Sequence, residues 1–340
     1  AFGRPPNLRV PHVAEAPGRC VFSWSCGGAS APWGTIRCYR VGVLLALLLA
    51  HGCVSVEQPP GQWPGSGCSA SAPAEGSASG ERDEELWLEV EPELRLKIRA
   101  RWPRGLDCHG AVVVLPPGFE GGERVIQGAQ GDVLVDHGLA VLSLDPRGRG
   151  ESDGEEDANG YAGQDDVAAL LRWVASQEQV DPDAVVLSSR SFAGALAAGA
   201  LGRHGDLQVR GWVDYESPGY LAEDLLYAPS SNQETFAGLS PEDPVEALAW
   251  WAEREPAQLV VGVQRPYHRF QGLPDHALGG RTAHAAAMLK AASQAPELRY
   301  NEVEVVSQEI TAGYVRDNAI REGLDPESSG INRAILDLYE

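Results

Sequence analysis

The feature that most constrains this chain is a series of short apolar runs that do not alternate. Residues 111–115 read AVVVL, residues 140–144 AVLSL and residues 184–187 AVVL. A strand with one wet face alternates apolar and polar side chains, whereas a strand covered on both faces does not. Between these runs lie stretches with helical spacing. One falls near residues 125–137. In a second, residues 165–176, the apolar positions Val167, Leu170, Leu171 and Val174 recur at three and four. Residues 195–201 form a small-residue helix, Trp212-Val213 and residues 267–271 mark strands, 281–293 an Ala-rich helix, and 298–306 a last strand. Strands alternating with helices of this length imply right-handed crossovers and a mostly parallel sheet with helices on both faces. Ahead of them, from Leu86, LWLEVEPELRLKIRARW alternates about a break at Glu91-Pro92 and predicts a half-exposed antiparallel hairpin.

The amino-terminal region reads differently. Residues 1–36 show no amphipathic period. Arg37 and Arg40 then precede the apolar run 41–50, which ends in small residues before Cys53. That order describes a secretory signal, and the run is too short for a membrane-spanning helix. Ala50, Gly52 and Cys53 resemble a bacterial lipobox, although Ala50 stands where Leu is common and His51 is atypical. The resemblance implies that Cys53 is lipidated. It places the protein in a bacterial cell envelope, lipid-anchored or secreted, with the anchor as its only membrane contact. Residues 54–83 are dominated by Pro, Gly, Ser and Ala and predict a flexible linker. The expected organisation is therefore leader and signal over 1–53, linker over 54–83 and a folded domain over 84–340.

With 27 basic against 48 acidic residues, the formal net charge is -21. Such a surface repels nucleic acid and anionic lipid, so neither is an expected partner. None of the six cysteines falls in a CxxC pair or near a His at zinc-ligand spacing, so no metal site is expected. Cys68 and Cys108 either pair in an oxidising compartment or remain two thiols.

Four motifs carry chemistry. Ser189-Arg190-Ser191-Phe192-Ala193-Gly194 follows a buried strand and opens a helix rich in Ala and Gly. Small residues two before and two after Ser191 suit a tight strand-to-helix turn that exposes a nucleophile. The plainer alternative is a Ser that caps a helix. Asp145-Pro146-Arg147-Gly148-Arg149-Gly150-Glu151-Ser152 ends an earlier strand, and Pro116-Pro117-Gly118-Phe119 follows residues 111–115. Gln271-Gly272-Leu273-Pro274-Asp275-His276 follows the strand at 267–271. In this order the four resemble the α/β-hydrolase family over roughly residues 86–306: oxyanion loop, D-x-R-G-x-G-x-S loop, nucleophile elbow and acid loop. The resemblance implies the α/β-hydrolase fold, with Ser191 as nucleophile, the amides of Phe119 and Phe192 as oxyanion hole, and Asp275 as the acid. It implies no cofactor.

One departure is plain. The family places its base, a His, after the last strand, and no His follows His284. Of the eight histidines, His276 is the one on a loop facing the expected site. It could reach Ser191 with a carboxylate supplied elsewhere, and Glu216, at the end of the strand before, is the alternative acid. His284 reads as a surface or filler residue of its helix. Residues 217–262 read as a cap-like insertion, whose Tyr220, Tyr227, Trp250 and Trp251 either line an apolar pocket or pack the cap. The expected activity is a serine hydrolase that cleaves an ester or related acyl bond of a small acyl substrate. The alternatives are a prolyl-oligopeptidase type of peptidase and a catalytically degenerate fold that acts as an envelope binding protein. The oligomeric state is not legible.

Overall fold

The computed structural model describes residues 68–127, 129–271, 275–276, 283–293, 295–296, 298–300, 320–321 and 328–339. The expected signal, Cys53 and the first part of the expected linker lie outside them. Strand β1 (Glu81–Glu91) turns through Glu93, at φ 66°, into β2 (Leu94–Pro103) as an antiparallel hairpin. Strand β3 (His109–Val114) follows, then the short helices α1 (Glu123–Ile126) and α2 (Ala129–Asp136), and β4 (Ala140–Leu144). Next come α3 (Tyr161–Ala175), β5 (Val180–Arg190), α4 (Ala193–Arg203) and β6 (Gly211–Tyr215). Four helices, α5 (Leu221–Asp224), α6 (Ser230–Leu239), α7 (Pro244–Ala252) and α8 (Pro256–Leu259), occupy the expected cap region. The described chain closes with β7 (Tyr267–Phe270), α9 (Ala283–Ala291), β8 (Leu298–Tyr300), β9 (Ile320–Arg321) and α10 (Ser328–Asp337).

The strands form one sheet in the order β1-β2-β4-β3-β5-β6-β7-β8-β9. From β4 onward every pairing is parallel, and only the hairpin and the β2–β4 contact are antiparallel. The apolar runs are the reason. Val112, Val113, Leu142, Val186 and Leu187 are each fully buried, because helices cover both faces. On one face α3 lays down Val167, Leu170, Leu171 and Val174 as the spacing predicts, and α4 packs beside it. The small residues of α4 are obligatory there: a Cβ on Gly199 would come within 2.0 Å of the Gln164 side chain. On the other face α10, which the sequence reading did not anticipate, sets Ile331 and Ile335 against α2 and β6.

Two expectations need correction. Helix residues near 125–137 form two short helices instead of one. The segment 68–83 is no free tether: Ala70 N–H donates to Asp181 at 2.8 Å, Ser79 N–H to Arg104 O at 2.8 Å, and β1 already begins at Glu81. Cys68 and Cys108 are bonded, with their Cα atoms 5.7 Å apart. The composition of 68–83 suggests a coil, but backbone hydrogen bonds and a covalent link to the body outweigh it.

The crosslink joins positions 40 residues apart. Closing a loop of that size in the unfolded chain is worth about 3–4 kcal/mol in the chain-entropy account. Cys108→Ser is expected to lower unfolding free energy by about that amount in denaturant titration, with the same loss in wild type under reductant.

Candidate active site

The sheet places every candidate at one edge, the carboxyl ends of β3, β5, β6 and β7. Its strand order reverses direction between β3 and β5, where open parallel sheets leave a crevice for ligands. Ser191 stands directly after β5 at φ 56°. A non-glycine residue held in the left-handed region costs about 1–2 kcal/mol and persists only where its surroundings enforce it. Ser191 N–H donates to Tyr215 O at 2.9 Å, and Gly194 N–H donates back to Ser191 O at 3.0 Å, closing the turn. The positions flanking the elbow are as tight as expected: Ser189 and Ala193 are buried, and a Cβ on Gly194 would lie 2.1 Å from Ser217 Oγ.

His276 reaches Ser191. Its Nε2 lies 2.9 Å from Ser191 Oγ. Its Nδ1 contacts the carboxylate of Glu216, which also accepts the His276 backbone N–H at 3.2 Å. With the proton on Nδ1, Nε2 is left to accept from the Ser191 hydroxyl. The Glu216 side chain is 1% exposed and that of His276 30%, so the carboxylate is enclosed and the imidazole faces solvent. Glu216, like Ser191, is a non-glycine residue at positive φ, 53°.

The expectation for Asp275 is corrected. Asp275 is adjacent to His276 in the chain but buried behind it, where it accepts from Gln271 Nε2 at 2.8 Å and lies 3.4 Å from His284 Nε2. The two adjacent side chains part, the Asp275 carboxylate turning inward to Gln271 and the His276 imidazole outward to Ser191. The Nδ1 position belongs to Glu216, the alternative acid. Of the two readings of His284, surface or filler, its burial supports the second.

Below this group runs a buried polar network that the sequence reading missed. Asp214 of β6 accepts from Arg269 Nη1 at 2.8 Å, Tyr267 Oη at 2.9 Å and Ser189 Oγ at 2.9 Å. Arg269 Nη2 goes on to Ser217 O at 2.8 Å and Gln271 Oε1 at 2.7 Å. Asp214 and Arg269 are both fully buried. The available signal was a charge inside each of two apolar strands, WVDY and YHRF. Nearby, Tyr215 stacks on His276, ring centroids 6.1 Å apart. Burial, reinforced by the Glu216 charge, pushes the Tyr215 phenol up to about 12, so it stays protonated.

The expected oxyanion donors meet across the elbow. The rings of Phe119 and Phe192 are 5.5 Å apart, and Phe236 of the cap lies against both, at 5.6 and 4.8 Å. Neither backbone N–H has an acceptor among the described residues. Arg149 supplies an unanticipated support. Its Nη1 donates to Gly118 O at 3.0 Å, its guanidinium lies 4.9 Å from the Phe119 ring centre, and its Nη2 donates to Asn159 Oδ1 at 2.8 Å. Asn159 Nδ2 then donates to Phe192 O at 2.9 Å. Gly118 C=O and Phe119 N–H share one planar peptide unit and point opposite ways. Fixing the carbonyl on Arg149 therefore aims the amide away from it.

A cavity of about 880 Å³ opens over this constellation, lined among others by Phe119, Glu120, Arg124, Arg190, Ser191, Tyr215 and His276. Of the cap aromatics, Trp250 and Trp251 pack with Phe236 and not into this cavity. Glu216, Asp275 and His276 have donor atoms within 4.8 Å of one another, the spacing of a metal site. Both His276 nitrogens already face protein partners, however, and Asp275 is held by Gln271. The arrangement suits proton transfer better than metal ligation.

Arg149→Met is expected to lower kcat on an ester substrate by roughly 10²-fold, near the cost of losing one oxyanion donor, with KM changed less than about threefold. Steady-state kinetics checks the split. Arg149→Lys should restore little, since the guanidinium also pairs with the Glu156 carboxylate, and one ammonium cannot serve Gly118, Glu156 and Asn159 together.

Comparison with known proteins agrees with this architecture. Residues 70–210 match the model of the X-Pro dipeptidyl-peptidase (S15) family. The thiohydrolase aneE of Aspergillus aculeatus is 30% identical over 107 residues, which cover 31% of this chain and 33% of that protein. Among solved structures, a puromycin-hydrolyzing peptidase of Mycobacterium tuberculosis superposes at TM-score 0.56 and 14% identity, over 76% of this chain and 39% of that one. The Pyrococcus horikoshii acylaminoacyl peptidase gives 0.56 and 12%, over 77% and 41%. Acetyl xylan esterase 1 of Thermoanaerobacterium gives 0.54 and 17%, over 79% and 87%. The chain thus spans a third of the thiohydrolase and about two fifths of the two peptidases. With its mostly parallel sheet flanked by helices, the chain has the α/β-hydrolase fold.

Proposed function

We propose that this protein is a serine hydrolase that cleaves an ester or related acyl bond through an acyl-enzyme. The observation that carries the reading is the continuous line Glu216–His276–Ser191, with His276 Nε2 2.9 Å from the Ser191 hydroxyl oxygen. Ser191 Oγ attacks the substrate carbonyl carbon as its proton passes to His276 Nε2. The buried Glu216 carboxylate offsets the charge that forms on the imidazole. The carbonyl oxygen becomes an oxyanion beside the Phe119 and Phe192 amides, preorganised donors worth roughly 3 kcal/mol each in comparable sites. The tetrahedral intermediate collapses, the bond to the leaving group breaks, and His276 returns the proton to that group. Water then attacks the acyl-enzyme with His276 as base, and Ser191 is regenerated.

A second reading, peptide hydrolysis, is favoured by the match of residues 70–210 to the X-Pro dipeptidyl-peptidase family. Fluorogenic ester and peptide panels run side by side separate the two. We place the protein in the bacterial envelope through Cys53, on the strength of the signal and lipobox pattern.

Fluorophosphonate labelling tests the reading directly. The folded wild type is expected to label at Ser191, found by peptide mass, and Ser191→Ala to lose the label together with roughly 10⁶-fold of its activity. An intact, folded protein that resists the probe would instead favour a degenerate fold.

A further inference from the structure

The chain has 48 acidic and 27 basic residues, and most described guanidinium groups meet a carboxylate. Arg95 meets Asp153, Arg147 meets Asp166, Arg172 meets Asp206 and Arg269 meets Asp214. Even Arg124, 81% exposed at the mouth of the Ser191 cavity, has Glu120 at 3.5 Å. Arg190 differs. It immediately precedes Ser191, lines the same cavity, is exposed, and has no carboxylate partner among the described residues. Its guanidinium lies instead 4.9 Å from the ring centre of Tyr215, the ring that stacks on His276. The stack holds the cation on the cavity wall beside the triad. A guanidinium in ring contact keeps its N–H donors in its own plane, where a carboxylate can meet two of them at once.

We propose that Arg190 binds a carboxylate of the substrate, so that this site selects acyl compounds bearing an anionic group near the scissile bond. The proposal rests on the serine-hydrolase reading for its chemistry but not for its recognition. A molecule with net charge -21 repels anions in general. A cation placed at the reacting serine reverses that preference locally. The Coulomb gain at a half-open site is modest, and a bidentate, charge-assisted pair adds to it.

The test uses 4-methylumbelliferyl monoesters of glutaric, adipic and suberic acids, each paired with an isosteric neutral ester whose distal carboxylate is a primary amide. For at least one length, wild type is expected to favour the acid over its amide by about tenfold in kcat/KM, the worth of one charge-assisted pair. The ratio should fall to about one in Arg190→Gln and be partly kept in Arg190→Lys. Equal rates for acid and amide at every length in wild type, or a ratio that survives Arg190→Gln, would overturn the proposal. Fluorescence titration of Ser191→Ala with the same pairs gives the comparison without turnover. Tighter binding of the acid, abolished by adding Arg190→Gln, supports the proposal even if wild type cleaves none of the esters, and in that case the hydrolase reading is what fails. Equal binding of acid and amide overturns the proposal alone.

Discussion

The ion pair between Asp214 and Arg269 is the constraint on which the site depends. Both side chains are fully enclosed, and they join the carboxyl ends of β6 and β7, the strands that deliver Glu216 and His276. Two charges that far from water are tolerable only when their remaining hydrogen-bonding capacity is met. Here Ser189, Tyr267, Gln271 and the Ser217 carbonyl meet all of it but the Arg269 Nε, which has no acceptor among the described residues. The same contacts tie together Ser189 ahead of the elbow, Ser217 beside Glu216 and Gln271 at the end of β7. Removing one partner of such a pair costs about 3–5 kcal/mol, so the network is as much a scaffold for the site as a part of the core.

Above that scaffold the backbone is held in uncommon conformations at the two residues that matter most. Ser191 and Glu216 both have positive φ without being glycine. Each departs from a parallel strand, and each needs its side chain turned across the strand end and not along it. Neighbouring strands enforce the turns: Ser191 N–H is tied to Tyr215 O, and Glu216 N–H to Phe270 O at 3.0 Å. The oxyanion side is held separately, by Arg149 and Asn159 below and by the Phe236 contact from the cap above. The cap thereby touches the rings of both candidate oxyanion residues, which couples its packing to the geometry of the amides between them.

The sheet was legible because burial on both faces leaves an unmistakable apolar run, and the elbow because its turn admits only small residues around Ser191. The proximity of His276 to Ser191 was legible only by elimination among the histidines, since His276 sits after β7 and not after the last strand. That Glu216, the alternative acid, and not Asp275 contacts His276 Nδ1 has a local reason. Asp275 matches the family spacing and adjoins His276, but its carboxylate turns inward to Gln271, and spacing alone does not show which carboxylate faces Nδ1. Arg149, Asn159 and the Asp214–Arg269 pair escaped because their roles arise from contacts between segments distant in the chain. Residues 68–83 escaped because composition reports no disulfide.

The central claim is that Glu216, and not Asp275, orients His276 toward Ser191. Its most direct test is kcat/KM on one fluorogenic ester for Glu216→Gln and Asp275→Asn, each normalised to folded protein. The account predicts a loss of roughly 10⁴-fold for Glu216→Gln, as when the orienting acid of a triad becomes an amide, and a loss below about tenfold for Asp275→Asn, whose carboxylate faces Gln271. The reverse order, with Asp275→Asn the crippled variant, would contradict it.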